Sequence, residues 1–591
     1  MVKSANSKSK TNNTRHDEAS TVSSLTNDEC ELQPTMSATR KQLAQRLVAA
    51  ARGGGQSLWS KQLKCFALHD HHFGSINTTN LVASPSDFHS HLCQKVRRAR
   101  ERVVIASLYI GVGSGKQLQL GDITKPQQTC KEDEFLQSLY FAASNEKIKQ
   151  IQVILDANRA MRKVSFTNIR NTGQSHDPSQ LNGSSTNSAE TVLSALRPFL
   201  KRDERDRHSI PSNNGLFLFP VNDQRLCTIL PSPLDEVAGV FHIKAYLIDD
   251  ELILSGANLS EEYFSNRLDR YMLFTNGGGG LVDFYAGLCN TLSSYAIKYD
   301  GQSSLISSEN FDNARKQELE SSLTKLFVDE TQTSIPDPDS DKDASGAVAY
   351  AIPTFQMPNS FLGRPFQFKS DIDACEDLLL AAVESEQDMS VRLSSAYLNL
   401  TPRLRSLLTM FGNRRGVGAP YVLTAGAMSH GFAPKKRKES KQNRVGLVEK
   451  VKSSIPEAFL TLVKEASQSI IACGGKVLLY ERSGWTFHAK GVWLAASDAD
   501  APRRELIHDS TSIISAIIGS GNYGSRSEDL DVESNCILVF NDRSKNEKVK
   551  ESVANEWNDM CKHSTTPVNL EVRGDVNSLT TVVVQFMKKF L

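Results

Sequence analysis

HIKAYLIDDELILSGANLSEEYFSNRLD, residues 242–269, is matched later in the chain by HAKGVWLAASD, residues 488–498, together with IIGSGNYGSRSEDLDVE, residues 517–533. In each copy a His-x-Lys is followed by a Gly/Ser turn that ends in Asn and, eleven residues past that Asn, by an acid. The first copy supplies His242, Lys244, Asn258 and Asp269; the second supplies His488, Lys490, Asn522 and Glu533, with a polar insertion between its two parts. One His-x-Lys alone is an ordinary surface feature. Two copies with the same downstream Asn and acid mean that one catalytic half-site occurs twice, and that an internal repeat builds a single centre.

The segments around the two copies repeat in the same order. Residues 86–100, just after Pro85, read as a helix, and Arg102 to Ile110 as a buried strand; residues 151–156 form a second strand, residues 189–200 a helix, and residues 241–248 the strand of the first motif. The second half offers a helix over 372–383, a strand over 390–397 whose Ser395-Ala396-Tyr397 echoes Ser107-Leu108-Tyr109, a strand over 421–424, a helix over 456–466 and the strand at Phe487. Strands that alternate with helices in this way imply the α/β class.

Chain length agrees with that count, since 591 residues exceed one ordinary domain and suggest two large units plus tails. The expected division is a disordered or targeting N-terminus over 1–80, a first domain over 81–301, a linker over 302–346 and a second domain over 347–591. Residues 1 to about 35, rich in Ser, Thr, Asn and Lys, read as disordered. Met36 to Leu68 contains no acid, and Arg40, Lys41, Arg46 and Arg52 alternate with Leu43, Leu47 and Ala51; this is the pattern of an organellar presequence or of an ordinary surface helix. Acids precede it (Asp17, Glu18, Asp28, Glu29, Glu31), so a presequence would begin more naturally at Met36. Residues 171–188 read as a loop insertion, and the basic run at 435–444 as a solvated loop, a nuclear signal or a contact for anionic lipid.

Composition narrows the chemistry. With 68 basic against 67 acidic residues there is no overall field to draw in nucleic acid, so an anionic ligand must be met by a local patch. Ten scattered cysteines with no C-x-x-C pair favour free thiols over disulfides or a zinc site. No uninterrupted apolar run approaches the roughly eighteen residues of a spanning helix, so a lipid substrate would be met from the membrane surface.

On a strand, residues two apart share a face, which places His242 with Lys244 and His488 with Lys490. A Lys beside a His repels its protonated form unless an anion lies between them, so each pair suits a phosphate. The turn residues Asn258 and Asn522 can donate to the same oxygens, and Asp269 and Glu533 can accept a ring N–H and fix a tautomer. Two such half-sites support metal-free chemistry: one imidazole attacks phosphorus and forms a phosphohistidine, while the other acts as general acid and then base. Gly111-Val112-Gly113-Ser114-Gly115-Lys116 lacks the register of a phosphate-binding loop and reads as a Gly-rich strand-end loop beside the site.

These residues resemble the phospholipase D superfamily, whose H-x-K-x4-D motif stands here as His242, Lys244 and Asp249. The second copy departs from it, with Ala495 where the Asp belongs; in the first, Ser255-Gly256 replaces the usual Gly-Ser. Within the superfamily the sequence looks most like the eukaryotic phosphatidylglycerophosphate synthase family, through residues 106–111, 252–260 with Tyr263-Phe264, and above all 480–491, YERSGWTFHAKG. The resemblance covers roughly 80–300 and 350–590. It implies two tandem phospholipase D-like α/β sandwich domains that form one pseudo-twofold active site, with the motif Asp chiefly structural. It also implies transfer of a phosphatidyl group from CDP-diacylglycerol to sn-glycerol 3-phosphate with release of CMP, in the mitochondrial route to cardiolipin. By analogy His242 is the nucleophile and His488 the acid/base. A peripheral enzyme of the inner membrane is expected, with no cofactor required, no nucleic-acid partner, and a divalent cation on the substrate pyrophosphate not indicated. The alternatives are a phospholipase D-type hydrolase, a cardiolipin synthase, a nuclease or tyrosyl-DNA phosphodiesterase, and a non-catalytic scaffold.

Overall fold

The structure is a computed structural model, and it describes residues 36–53, 62–74, 84–114, 130–165, 185–205, 213–221, 239–302, 312–329, 346–358, 370–413, 418–431, 447–496, 506–507, 512–541, 547–565, 581 and 583–585. The N-terminal 35 residues, most of the insertion at 171–188 and the basic loop at 435–444 lie outside the described residues.

Two mixed sheets carry the fold. The first contains β1 (Arg102–Ser107), β2 (Gln150–Asp156), β3 (Gly215–Phe219), β4 (Ala245–Ile248), β5 (Glu251–Ser255) and β6 (Tyr271–Phe274), in spatial order β3-β2-β1-β4-β5-β6. The second contains β7 (Ala349–Gln356), β8 (Met389–Ser394), β9 (Tyr421–Ala425), β10 (Lys476–Tyr480), β11 (Gly491–Ala496), β12 (Ile513–Gly519) and β13 (Glu533–Phe540), in order β10-β9-β8-β11-β12-β13-β7. The first six strands of each order correspond one to one. In both, the first three strands are mutually parallel and the next three run antiparallel. The repeat extends to a helix cap: Ser84 with Asp87 and Ser370 with Asp373 form reciprocal capping boxes that start helices Pro85–Arg98 and Asp371–Val383.

Residues alternate between two cores as the pleat requires. Val103, Ile105, Tyr246 and Ile248 pack with Phe88, Leu92, Phe135 and Leu196 of the helices covering the first sheet. Val104, Ala106, Ala245 and Leu247 join the large core shared with the second half. The halves are also locked by Arg270, next to Asp269 in the first half. Its Nε and Nη2 donate to Glu556 at 2.8 and 2.7 Å, and its Nη1 to the Lys490 and Ile517 carbonyls at 2.9 and 2.5 Å. The guanidinium also lies over the Trp493 ring at 4.1 Å, all within the interior.

Three expectations change. First, residues 36–53 and 62–74, expected to lie in a disordered or targeting N-terminus, pack into the fold. In helix Met36–Arg52 the residues Leu43, Leu47, Val48 and Ala51 are buried against helix Asp371–Val383, and Arg52 Nε donates to the Leu63 carbonyl at 2.7 Å. Phe66–Leu68 then adds an outer strand to β7, and Phe73–Gly74 one to β6, so this stretch touches both sheets. The apolar stripe read as one face of a presequence is a core face here. Second, the linker contains helix Asn313–Phe327, whose Leu319, Leu323 and Phe327 recur at helical spacing and are buried. Third, the motif strand begins only at Ala245, and residues 241–244 leave the sheet. No helix among the described residues is long and apolar enough to cross a membrane.

Because Leu47 is buried in the core, Leu47→Ala should cost about 2–5 kcal/mol, as for other buried leucines. Urea denaturation measures it, and a change within about 0.5 kcal/mol would mean the helix is only loosely attached.

Candidate active site

The backbone ahead of each histidine crosses to the other half. Phe241 forms a parallel bridge with Val532; the Val532 amide donates to the Val240 carbonyl at 2.9 Å and the His242 amide to the Val532 carbonyl at 2.8 Å. In the mirror arrangement Thr486–Phe487 pairs in parallel with Arg267–Leu268, and the His488 amide donates to the Leu268 carbonyl at 2.8 Å. Both crossings end one residue before an acid. Each acid therefore serves the histidine of the other copy: His242 Nδ1 lies 2.9 Å from Glu533 Oε1, and His488 Nδ1 lies 2.7 Å from Asp269 Oδ2. In each pair the ring proton on Nδ1 is fixed by the acid, which leaves Nε2 as the nitrogen for chemistry.

The lysines are buried with them. Lys244 Nζ donates to the His242 carbonyl at 2.6 Å, and Lys490 Nζ to the His488 carbonyl at 2.8 Å, with Asp269 Oδ2 3.5 Å away. Burial lowers the pKa of both ammoniums, Lys244 well below the usual range, against the pull of Glu533 and Asp269. Burial raises the Asp269 carboxyl. At Glu533 burial acts the same way, but His242 and Lys244 outweigh it and hold the carboxyl low. Burial also depresses both imidazoles, His242 to about 4, and His488 well below its ordinary value, where Lys490 adds to the effect. Two ammoniums and two carboxylates balance with both imidazoles neutral. An entering phosphate brings its negative charge next to the two lysines.

The turn asparagines sit in the same interior, and Oδ1 of both Asn258 and Asn522 is buried without a hydrogen-bond partner. Asn258 Nδ2 donates to the Tyr263 hydroxyl at 3.2 Å. Ser395 Oγ reaches the Asn522 carbonyl and the Tyr397 carbonyl, each at 2.8 Å, and Ser107 Oγ the Tyr109 carbonyl at 3.1 Å, so the Ser-x-Tyr echo is a repeated contact under the site.

Asp249 is not brought to this centre. It occupies the tight turn between β4 and β5 at positive φ, at the far end of β4 from Lys244, and accepts the backbone amides of Arg100, Glu101 and Arg102 at 2.8–3.2 Å. That carboxylate closes a turn, whereas Ala495, at the corresponding position of the second copy, lies within β11. The Gly-rich loop does adjoin the site, since the Gly111 amide donates to the Leu259 carbonyl. Its Gly113 and Ser114 amides are taken by Glu132 and Asp133, so they are not available as a phosphate cradle.

Sequence reasoning gave no role to four residues. Asp156 accepts the Phe241 amide at 2.8 Å and Asp531 the Val240 amide at 3.0 Å, and together they hold the crossing strand. Tyr263, five residues past Asn258, reaches His488; its counterpart five residues past Asn522 is Ser527, which donates to Glu533 at 2.9 Å. The equal spacing was a usable signal, but the unlike residue types hid it.

Two sheets of the same strand order, packed around exchanged His–acid pairs, make two like α/β halves that share one centre. Over 519 residues the chain is 26% identical to a probable CDP-diacylglycerol–glycerol-3-phosphate 3-phosphatidyltransferase of Dictyostelium discoideum, with 84% of this chain and 74% of that protein covered. It is likewise 26% identical over 504 residues to the mitochondrial CDP-diacylglycerol–glycerol-3-phosphate 3-phosphatidyltransferase of Gallus gallus, covering 80% and 76%. Among solved structures, a phosphatidylserine synthase of Haemophilus influenzae shares the fold with a TM-score of 0.55 at 16% identity, over 89% of this chain and 94% of that one. No family model matches the chain. The resemblance read from the motifs, to these phosphatidyltransferases, extends across about four fifths of the sequence.

Two outcomes test the site. An imidazole whose folded pKa lies below its unfolded value gains a proton on unfolding between the two, so acid favours unfolding in that window. For His242 the window runs from 6.5 down to about 4. Its contribution is roughly 3 kcal/mol at 1.4 per pH unit. Urea titrations should show stability falling from pH 7 to pH 5 and a shallower fall in His242→Gln; equal slopes would place His242 in solvent. Second, Glu533→Gln and Asp269→Asn should each slow turnover by about 10²–10⁴, the range for loss of an oriented acid/base. Chemical shifts should follow the exchanged pairing: in NMR, Glu533→Gln should move the His242 ring resonances more than those of His488.

Proposed function

We propose that the protein transfers the phosphatidyl group of CDP-diacylglycerol to sn-glycerol 3-phosphate, releasing CMP and forming phosphatidylglycerophosphate. The observation that carries this reading is the pair of buried imidazoles, each tied through Nδ1 to the other copy's acid, in a chain similar over four fifths of its length to phosphatidyltransferases of that name. His242 Nε2 attacks the β-phosphorus and the P–O bond to CMP breaks, giving a phosphohistidine. His488 then takes the proton of the glycerol 3-phosphate hydroxyl as its oxygen displaces the histidine. Lys244, Lys490, Asn258 and Asn522 balance charge on the pentacoordinate phosphorus. With those groups at phosphorus the mechanism calls for no cofactor. A divalent cation, if it takes part, would act on the pyrophosphate of the substrate.

The near-equal charge balance supports a lipid over a nucleic-acid partner. We place the enzyme at a membrane surface, as its lipid substrate requires, and in the mitochondrion on the inner membrane, as the mitochondrial relative suggests for the compartment.

Purified protein should release CMP from CDP-diacylglycerol only when glycerol 3-phosphate is present, and His242→Ala and His488→Ala should each remove that activity. Equal turnover with water would mean a hydrolase, exchange between two phosphatidylglycerols a cardiolipin synthase, and cleavage of DNA ends without lipid turnover a nuclease; each would sink the reading.

A further inference from the structure

The two histidines have matched acids and lysines, yet the proposed reaction uses them differently. What separates them lies five residues past each turn asparagine. In the first half that residue is Tyr263, fully interior, with its ring edge-on to His488 at 5.2 Å between centroids and beneath the Arg267 guanidinium at 4.8 Å. Its hydroxyl accepts from Asn258 Nδ2 at 3.2 Å, which leaves its own proton to donate. Two ring nitrogens are near, His488 Nε2 at 3.2 Å and Nδ1 at 3.4 Å. Nδ1 gives its proton to Asp269 Oδ2 at 2.7 Å, so it has no lone pair to offer, and Lys490 Nζ, 2.6 Å from it, is a neighbouring charge rather than its donor. The tyrosine proton therefore goes to the Nε2 lone pair. In the second half the position holds Ser527, whose short side chain gives its proton to Glu533 Oε1 rather than to an imidazole.

We propose that Tyr263 is a positioning residue that makes the two imidazoles inequivalent: by donating to Nε2 of His488 it keeps that nitrogen off phosphorus and reserves it for the acceptor alcohol, so the covalent bond forms on His242 alone. This rests on the phosphatidyl-transfer reading above. In the first step a bond forms between His242 Nε2 and phosphorus, and the bond pair of the P–O linkage leaves with CMP. In the second, the acceptor hydroxyl replaces Tyr263 as donor to His488 Nε2. Its oxygen then bonds to phosphorus, its proton moves to Nε2, and the P–N bond pair returns to His242. Without the tyrosine hydroxyl both Nε2 lone pairs face the phosphoryl group on equal terms.

The test uses the full chain with CDP-dioleoylglycerol in phosphatidylcholine vesicles and no acceptor, quenched in alkali to preserve phosphohistidine and mapped by peptide mass spectrometry. Wild type should carry the adduct on His242, and His242→Gln should carry none. Tyr263→Phe, which keeps the ring, should raise the share on His488 at least tenfold, and His242→Gln with Tyr263→Phe should recover an adduct on His488. Circular dichroism and melting check the fold of each variant, and Tyr263→Leu replaces Tyr263→Phe if the latter does not fold. A His488 share unchanged in folded Tyr263→Phe overturns the proposal, as does a wild-type adduct on His488, while CMP release that needs glycerol 3-phosphate would still uphold the transfer reading. No adduct and no CMP release in wild type would overturn both.

Discussion

The exchange of acids between the two halves is the constraint on which the rest depends. A histidine in one copy is oriented by a carboxylate from the other, and the carboxylate arrives there because the chain ahead of each histidine leaves its own sheet to pair, in parallel, with the residues just before the acid. Backbone hydrogen bonds set this register, and slipping it by one residue would turn the acid to the opposite face. Each half therefore holds a histidine without its partner until the other half is in place. Catalytic competence is a property of the assembled pair, although most of the secondary structure in each half is local.

The buried charges are affordable only because of that closure. Four ionisable side chains with little solvent would each carry a heavy desolvation cost alone. Together they compensate, two positive and two negative, with Arg270 and Glu556 forming a second compensated pair just beyond. The depressed imidazoles follow from the same burial, and they suit a centre that begins with neutral nitrogen nucleophiles.

Much of this was legible in the sequence. The paired motifs, their spacing and the order of strands and helices on both sides read correctly because period and repeat are local signals. The direction of the crossing was not legible. The His-x-Lys segments look like strand and merge with Ala245–Ile248 and Gly491–Ala496, and only the partner half shows that residues 241–244 and 488–490 have left the sheet. Two further misreadings have the same origin. The apolar stripe of Met36–Arg52 and the Leu319, Leu323 and Phe327 stripe of the linker helix have no visible partner in the sequence, so amphipathic periodicity alone could not tell a core face from a free one. Asp249 shares the motif but not the centre, because a motif describes neighbours along the chain, and the four residues of β4 separate the Asp249 turn from Lys244.

Arg270 bears on how ligands reach the centre. All three guanidinium nitrogens are committed across the seam, to a carboxylate and to two carbonyls, one of them that of Lys490. Parting the two sheets like a clamshell would strand that cation in a dry interior and pull Lys490 out of place at the same time. The seam is thus a rigid keystone. A ligand must therefore reach the centre without parting that seam, which sets the alignment of the paired histidines.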